Sequence, residues 1–138
     1  MKLFLVTASL AAALVSACDG GAVRDDDPKS TLVGTWQREF EFQGAKARLV
    51  LALGGNRKFT EQIEFLEPDG RSHRQDFAGE WSYDGLKFTR RYLQENGRQY
   101  AGGTIRFATL DVTSVSGREM VGKDNVRGEE VTYQRAAN

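Results

Sequence analysis

From Thr31 onward the apolar residues recur at every second position, the repeat of a strand with one buried face, and no stretch carries a clear helical repeat. Trp36, Phe40 and Phe42 alternate with Gln37, Glu39 and Glu41, and Leu49, Leu51 and Leu53 follow. Phe59, Ile63 and Phe65 alternate with Lys58, Gln62 and Glu64, and Phe77, Gly79, Trp81 and Tyr83 share a face. Gly54-Gly55, Pro68-Asp69-Gly70, Asp84-Gly85, Asn96-Gly97 and Ser116-Gly117 separate the runs. Asp-Gly and Asn-Gly tolerate positive φ and are strong hairpin signals. The pattern predicts about eight strands, at 33–43, 46–53, 57–67, 72–83, 86–94, 103–114, 118–125 and 129–135. Short connections make sequence neighbours antiparallel sheet neighbours. Such strands bury their apolar faces and lose their free edges by closing into an up-and-down barrel. A two-sheet sandwich or a half-open barrel satisfies the same alternation. Within 103–114, Ile105 and Phe107 have one parity and Leu110 and Val112 the other, which predicts a bulge near Ala108-Thr109.

The first residues follow a different pattern: Lys2, an apolar run from Leu3 to Val15, then Val15-Ser16-Ala17-Cys18. An apolar run of about 13 residues is too short to span a bilayer and has the form of a secretory signal peptide. The closing tetrad resembles the bacterial lipobox, in which cleavage precedes a cysteine that carries lipid. That resemblance implies removal of residues 1–17 and acylation of Cys18, the only cysteine in the chain. The protein is then lipid-anchored in the cell envelope, on a bacterial membrane facing the periplasm. Asp19 resembles the inner-membrane retention signal of enteric bacteria, but the rule varies among bacteria and leaves inner and outer membrane both open. Residues 19–31 are small, acidic and without apolar periodicity, so 18–31 is expected to be a flexible tether and 32–138 the folded domain. Asp25-Asp26-Asp27 lacks the spaced ligands and turn glycine of a calcium loop and is expected to be solvated.

A mature chain of 121 of the 138 residues suits one domain. The 19 basic and 19 acidic residues become a net −1 once Lys2 is removed, which implies neither a nucleic-acid face nor a polybasic membrane patch.

Leu32-Val33-Gly34-Thr35-Trp36 resembles the Gly-x-Trp signature of the lipocalin-like (calycin) barrels. The resemblance implies that Trp36 closes one end of the barrel and that a basic residue of the last strand packs over its ring. Arg135, in Tyr133-Gln134-Arg135, stands where that partner is expected, so Gly34, Trp36 and Arg135 form the anticipated structural lock. Gly79-Glu80-Trp81 followed by Asp84-Gly85 is similar to the small bacterial lipocalin-like lipoproteins. The chain is shorter than full-size lipocalins and has neither a disulfide nor a terminal helix. With 13 aromatic residues in the body, seven Phe, two Trp and four Tyr, a filled core with a shallow ligand site at its mouth is expected.

Residues able to carry chemistry are few. His73 is the only histidine, no Gly-x-Ser-x-Gly or phosphate loop occurs, and no metal ligand set or cofactor motif is evident. The chain is therefore expected not to be an enzyme. Three charged residues fall on the inward parity instead: Arg38, Glu61 and Arg90. Buried charges need partners, so these three are expected to meet or to reach the barrel mouth. They are the candidate ligand-binding residues, a polar floor or rim for an anionic or amphipathic ligand; an internal ion pair is the structural alternative. A fatty-acid-like tail is expected among Phe40, Phe59, Phe65 and Phe88. Two functions follow: a non-catalytic envelope lipoprotein binding a small apolar or amphipathic molecule, or an interaction or inhibitor module using the barrel loops.

Overall fold

The computed structural model describes residues 27–137. Cys18, the signal segment and most of the expected tether lie outside the described residues. The described chain begins with a 3₁₀ turn, Pro28–Thr31, and continues through β1 (Gly34–Phe42), β2 (Ala45–Leu53), β3 (Lys58–Leu66), β4 (Ser72–Tyr83) and β5 (Lys87–Glu95). It ends with β6 (Arg98–Gln99), β7 (Arg106–Val115), β8 (Glu119–Asp124) and β9 (Glu130–Arg135). The last residues expected in the tether are thus part of the fold. Asp27 accepts the Lys29 amide at 3.0 Å, Pro28 pre-sets the turn, and Leu32 is delivered fully buried into the core.

All pairings are antiparallel. The ring runs β1-β2-β3-β4-β5-β7-β8-β9 and returns to β1, a closed eight-stranded up-and-down barrel. The sandwich and half-open arrangements are excluded by the β4–β5 and β1–β9 pairings. The two-residue β6 folds back at Asn96-Gly97 along the edge of β5 beyond the start of β7.

Two irregularities set the interior register, and neither is at Ala108-Thr109. Those residues pair regularly with Arg90 and Thr89. Ile105 and Phe107 are outward and exposed, at 62% and 58%, so their parity needs no bulge. The change comes at Thr113, the extra residue between the Val112–Gly122 and Ser114–Val121 pairs, whose hydroxyl donates to the Val121 carbonyl at 3.2 Å. A second extra residue, Leu93, stands on β5 between the Ala78–Gln94 and Gly79–Tyr92 pairs. There β5 comes so close to β4 that a Cβ on Gly79 would overlap the Arg91 carbonyl oxygen and approach the Phe59 ring to 2.9 Å. Only glycine fits.

The interior divides along the barrel axis. At one end Leu32, Trp36, Leu51, Phe59, Trp81, Phe88 and Met120 are buried together. The indole of Trp36 donates to the Leu32 carbonyl at 2.8 Å, and that of Trp81 to Gly54 at 3.0 Å, so each large ring is buried with its polar atom satisfied. At the other end Ala45, Ala47 and Phe65 form a smaller cluster with half-buried Phe40 and Ile63. Phe42 beside them is 42% exposed, and the His73 ring stacks on Phe65 at 4.9 Å. This second end is open. The seam between β1 and β9 also loosens toward it: only Trp36–Arg135 and Gln37–Gln134 pair, and from Arg38 to Phe42 β1 is paired with β2 alone.

Candidate functional site

At the closed end the three residues of the Gly-x-Trp resemblance are in contact. The Arg135 guanidinium lies 4.2 Å from the centroid of the Trp36 ring. It donates to the carbonyls of Gly117 at 2.9 Å, Val33 at 2.9 Å and Thr31 at 2.8 Å. Gly34 has φ +135°, and a Cβ there would sit 2.5 Å from Arg135 Nη1. Three of its N–H groups and one face of the guanidinium are thus engaged in holding the chain ends together.

The other three candidates lie further along the barrel. Alternation places Glu61 on β3 and Arg90 on β5 facing inward, and the curvature of the sheet brings them together. Arg90 Nη1 donates to Glu61 Oε2 in an ion pair, with the side chains only 12% and 4% exposed. The Tyr92 hydroxyl donates to the same carboxylate, at 3.0 and 3.2 Å. Phe59 and Phe77 stand edge-on to the Tyr92 ring, at 5.2 and 5.5 Å, and fix its position. Burial, with the Glu61 carboxylate adding to it against Arg90, holds the Tyr92 phenol well above its usual pKa, so it remains a donor. Burial works against the charge of Arg90, but Tyr133 and Glu61 outweigh it and raise its pKa above the ordinary arginine value. Arg90 Nε nevertheless has no hydrogen-bond partner, although it is buried.

Arg38 does not join this pair. Its guanidinium lies 4.5 Å from the Phe40 ring centroid and 5.7 Å from that of Tyr133, where β1 leaves β9. Among the described residues no carboxylate comes within 4.0 Å of it. The Asp124 carboxylate feels Arg90 but is bound to its own turn, accepting the amides of Val126 at 2.8 Å and Arg127 at 2.9 Å. Arg90 pairs level with Trp81 and Glu61 with Leu51, where the two halves meet, and Arg38 lies toward the open end, so two inward guanidinium groups stand against one paired carboxylate.

Sequence reasoning did not single out Tyr92 and Tyr133. Tyr92 shares the parity of Arg90 two residues on, which is the signal that finds it. Tyr133 lies two residues before Arg135 on the same face, but its contact with Arg38 depends on the β1–β9 seam, which alternation does not reveal. Phe59 and Phe88, expected along a ligand tail, are 2% and 1% exposed within the closed half; only Phe40 and Phe65 of that set line the open one. His73 is at the open end, 3.7 Å from Glu67. Among the described residues no cluster of three or more His, Cys, Asp or Glu gathers that could hold a metal.

Comparison with family models and with curated proteins finds no match. Among solved structures, a lipocalin-like protein from Bacteroides uniformis ATCC 8492 is 18% identical, over 77% of this chain and 99% of that one, with a TM-score of 0.48. The fold assignment rests on the strand pairing itself.

Proposed function

We propose that this protein is a non-catalytic, lipid-anchored barrel of the bacterial envelope that holds a small anionic amphiphile in its open half. The observation that carries the reading is the surplus of inward cationic donors: Arg38 without a carboxylate toward the open end, and Arg90 with an unpartnered, buried Nε where the two halves meet. A buried guanidinium without full compensation is costly, and an anionic head group supplies what is missing. A carboxylate or phosphate accepts from guanidinium nitrogens in a charge-assisted, directional way. Phe40, Ile63, Phe65 and Ala47 offer an apolar wall beside it. The closed half is packed with side chains, so the ligand is short or leaves its tail at the mouth. Support for a binding rather than a catalytic role comes from the single histidine, whose ring stacks on Phe65 and whose Nδ1 lies 3.7 Å from Glu67. Lipid anchoring rests on the Val15-Ser16-Ala17-Cys18 tetrad.

Titration with a fluorescent fatty acid at moderate salt tests the ligand. Saturable binding by the parent, weakened by Arg38→Gln, is expected. Absence of binding at tens of micromolar (about the range in which a modest apolar contact with one ion pair is measurable) removes this reading and leaves the interaction-module alternative in front. Membrane fractionation of Cys18→Ser tests the anchor separately: processing and retention identical to the parent's would remove it.

A further inference from the structure

The chain's near-neutral total conceals a local excess of one sign. On the outer face of the barrel a groove of about 420 Å³ lies between the Pro28–Thr31 turn and strands β3, β4, β5 and β7. Register builds it: Lys58 is opposite Glu80, Glu80 opposite Arg91, and Arg91 opposite Phe107, one outward row across four strands. Lys29 from the turn and Arg57 from the β2–β3 connection complete its wall. Lys29, Arg57, Lys58 and Arg91 therefore stand around one carboxylate, Glu80, whose contact with Arg91 is loose at 3.8 Å. Arg57 has φ +68°, a conformation that L side chains adopt at a cost, and its carbonyl accepts the Trp81 amide at 2.9 Å, which ties that backbone to β4. Phe107, at the end of the row, is 58% exposed.

We propose that this groove is a docking surface for the phosphate head groups of anionic phospholipids, with Phe107 reaching toward the acyl boundary. The choice of occupant follows from where the groove sits, and it rests on the anchor at Cys18 proposed above. The described chain starts at Asp27, and Lys29 on the groove wall is two residues further on. The nine residues from Cys18 to Asp27 reach roughly 15–18 Å as a flexible chain and about 30 Å at full extension. An acylated Cys18 therefore keeps this side of the barrel within reach of the bilayer. Leu86, 72% exposed, flanks the same side: it follows Gly85, where an added Cβ would lie 3.7 Å from Pro28 Cβ. Basic residues near an anionic surface are drawn to it over about a Debye length. The open end of the barrel, at the opposite pole, is left free.

The test uses a lipid-free chain, so that it does not depend on acylation. The barrel closes within residues 34–135, so residues 18–138 with Cys18→Ser contain the whole fold. Cosedimentation is measured with vesicles of phosphatidylglycerol and phosphatidylethanolamine, and with phosphatidylcholine alone. Binding to the anionic vesicles only, lost at high salt, is expected. Lys58→Glu with Arg91→Glu should weaken it by at least about tenfold. Lys46→Glu with Arg98→Glu, the same charge change on exposed residues at the open end, should leave it within about twofold of the parent. Circular dichroism confirms that each variant is folded. Equal losses in the two double variants would reduce the effect to net charge and overturn the groove, as would absence of binding to anionic vesicles. A rise in the parent's melting temperature with millimolar inorganic phosphate, absent in Lys58→Glu with Arg91→Glu and seen without vesicle binding, would overturn the lipid reading and reassign the groove to a free anion. Signal processing of Cys18→Ser, and its retention on membranes after a high-salt wash that releases groove-bound protein, report on the anchor alone, so failure of the groove and failure of the anchor are distinguishable.

Discussion

The two halves of this barrel interior use the same strands in opposite ways. In the closed half every large side chain is buried, both indoles are hydrogen-bonded, and the one nearby cation, Arg135, is shared among three carbonyls and the Trp36 ring. Toward the open half the strands continue, but the apolar cluster is small, Phe42 is half out in solvent, Arg38 has no carboxylate, and Arg90, where the halves meet, keeps an unused Nε. Polar residues placed in a barrel for stability alone end up paired. Those of the closed half are, and those of the open half are only partly so. The difference separates the part of the molecule that is saturated by its own contacts from the part that is not.

Removing Trp36 should break the comparison most forcefully. Trp36→Ala deletes a fully buried ring from the closed half and should cost about 3–5 kcal/mol in denaturant unfolding. Phe42→Ala in the open half should cost less than about 1 kcal/mol, since much of its surface is already in water. Similar losses at the two positions would erase the distinction between the halves. Trp36→Ala and Arg135→Ala should also couple in a double-mutant cycle, because the two groups touch.

The Glu61–Arg90 pair sharpens it. Glu61→Leu alone leaves Arg90 buried without its carboxylate and should destabilise by about 3 kcal/mol. Glu61→Leu combined with Arg90→Met should recover most of that loss, to within about 1 kcal/mol of the parent, because an apolar pair costs no charge desolvation. The double variant should then be stable and unable to hold a fatty acid. A double variant as unstable as the single one would assign the pair to folding.

The smallest effect concerns turns outside both halves. Asp84 accepts the amides of Lys87 and Leu86, and Asp124 those of Arg127 and Val126, and these bonds lower both carboxyl pKa values below the ordinary one. A lowered folded-state pKa gives stability that is present above the unfolded value of about 4 and lost as pH falls through the folded value. Melting temperature followed from about pH 5 to about pH 2 should fall less steeply in Asp84→Asn and Asp124→Asn than in the parent.

Much of this architecture was legible because strand alternation is a local signal. Phe59, Ile63 and Phe65 are each two residues from the next inward neighbour, and turn pairs such as Asp84-Gly85 mark where runs stop. The same parity put Glu61 and Arg90 inside, and they meet there. Bulges are harder to read. Exposed Ile105 and Phe107 imitate an inward face, whereas the true extra residues, Leu93 and Thr113, are indistinguishable from ordinary strand residues. The outer basic groove was invisible for a different reason. Lys29, Lys58 and Arg91 are roughly 30 residues apart, and only the pairing of β3, β4 and β5 brings them to one place.

Arg135 has a consequence for how the molecule is made. It joins Thr31 and Val33 to residues more than a hundred positions later, and it is the last residue of the last strand. A chain synthesised or exported from its N-terminus presents β1 long before that partner exists. Until residue 135 arrives, the Trp36 ring has no cap and one whole edge of the sheet is unpaired. Closure is therefore a late, long-range event, of the kind that slows β-proteins and exposes them to self-association. A stop codon at position 135, or a proteolytic cut just before it, would leave the barrel without its clasp, and such chains should be cleared from the cell as unfolded.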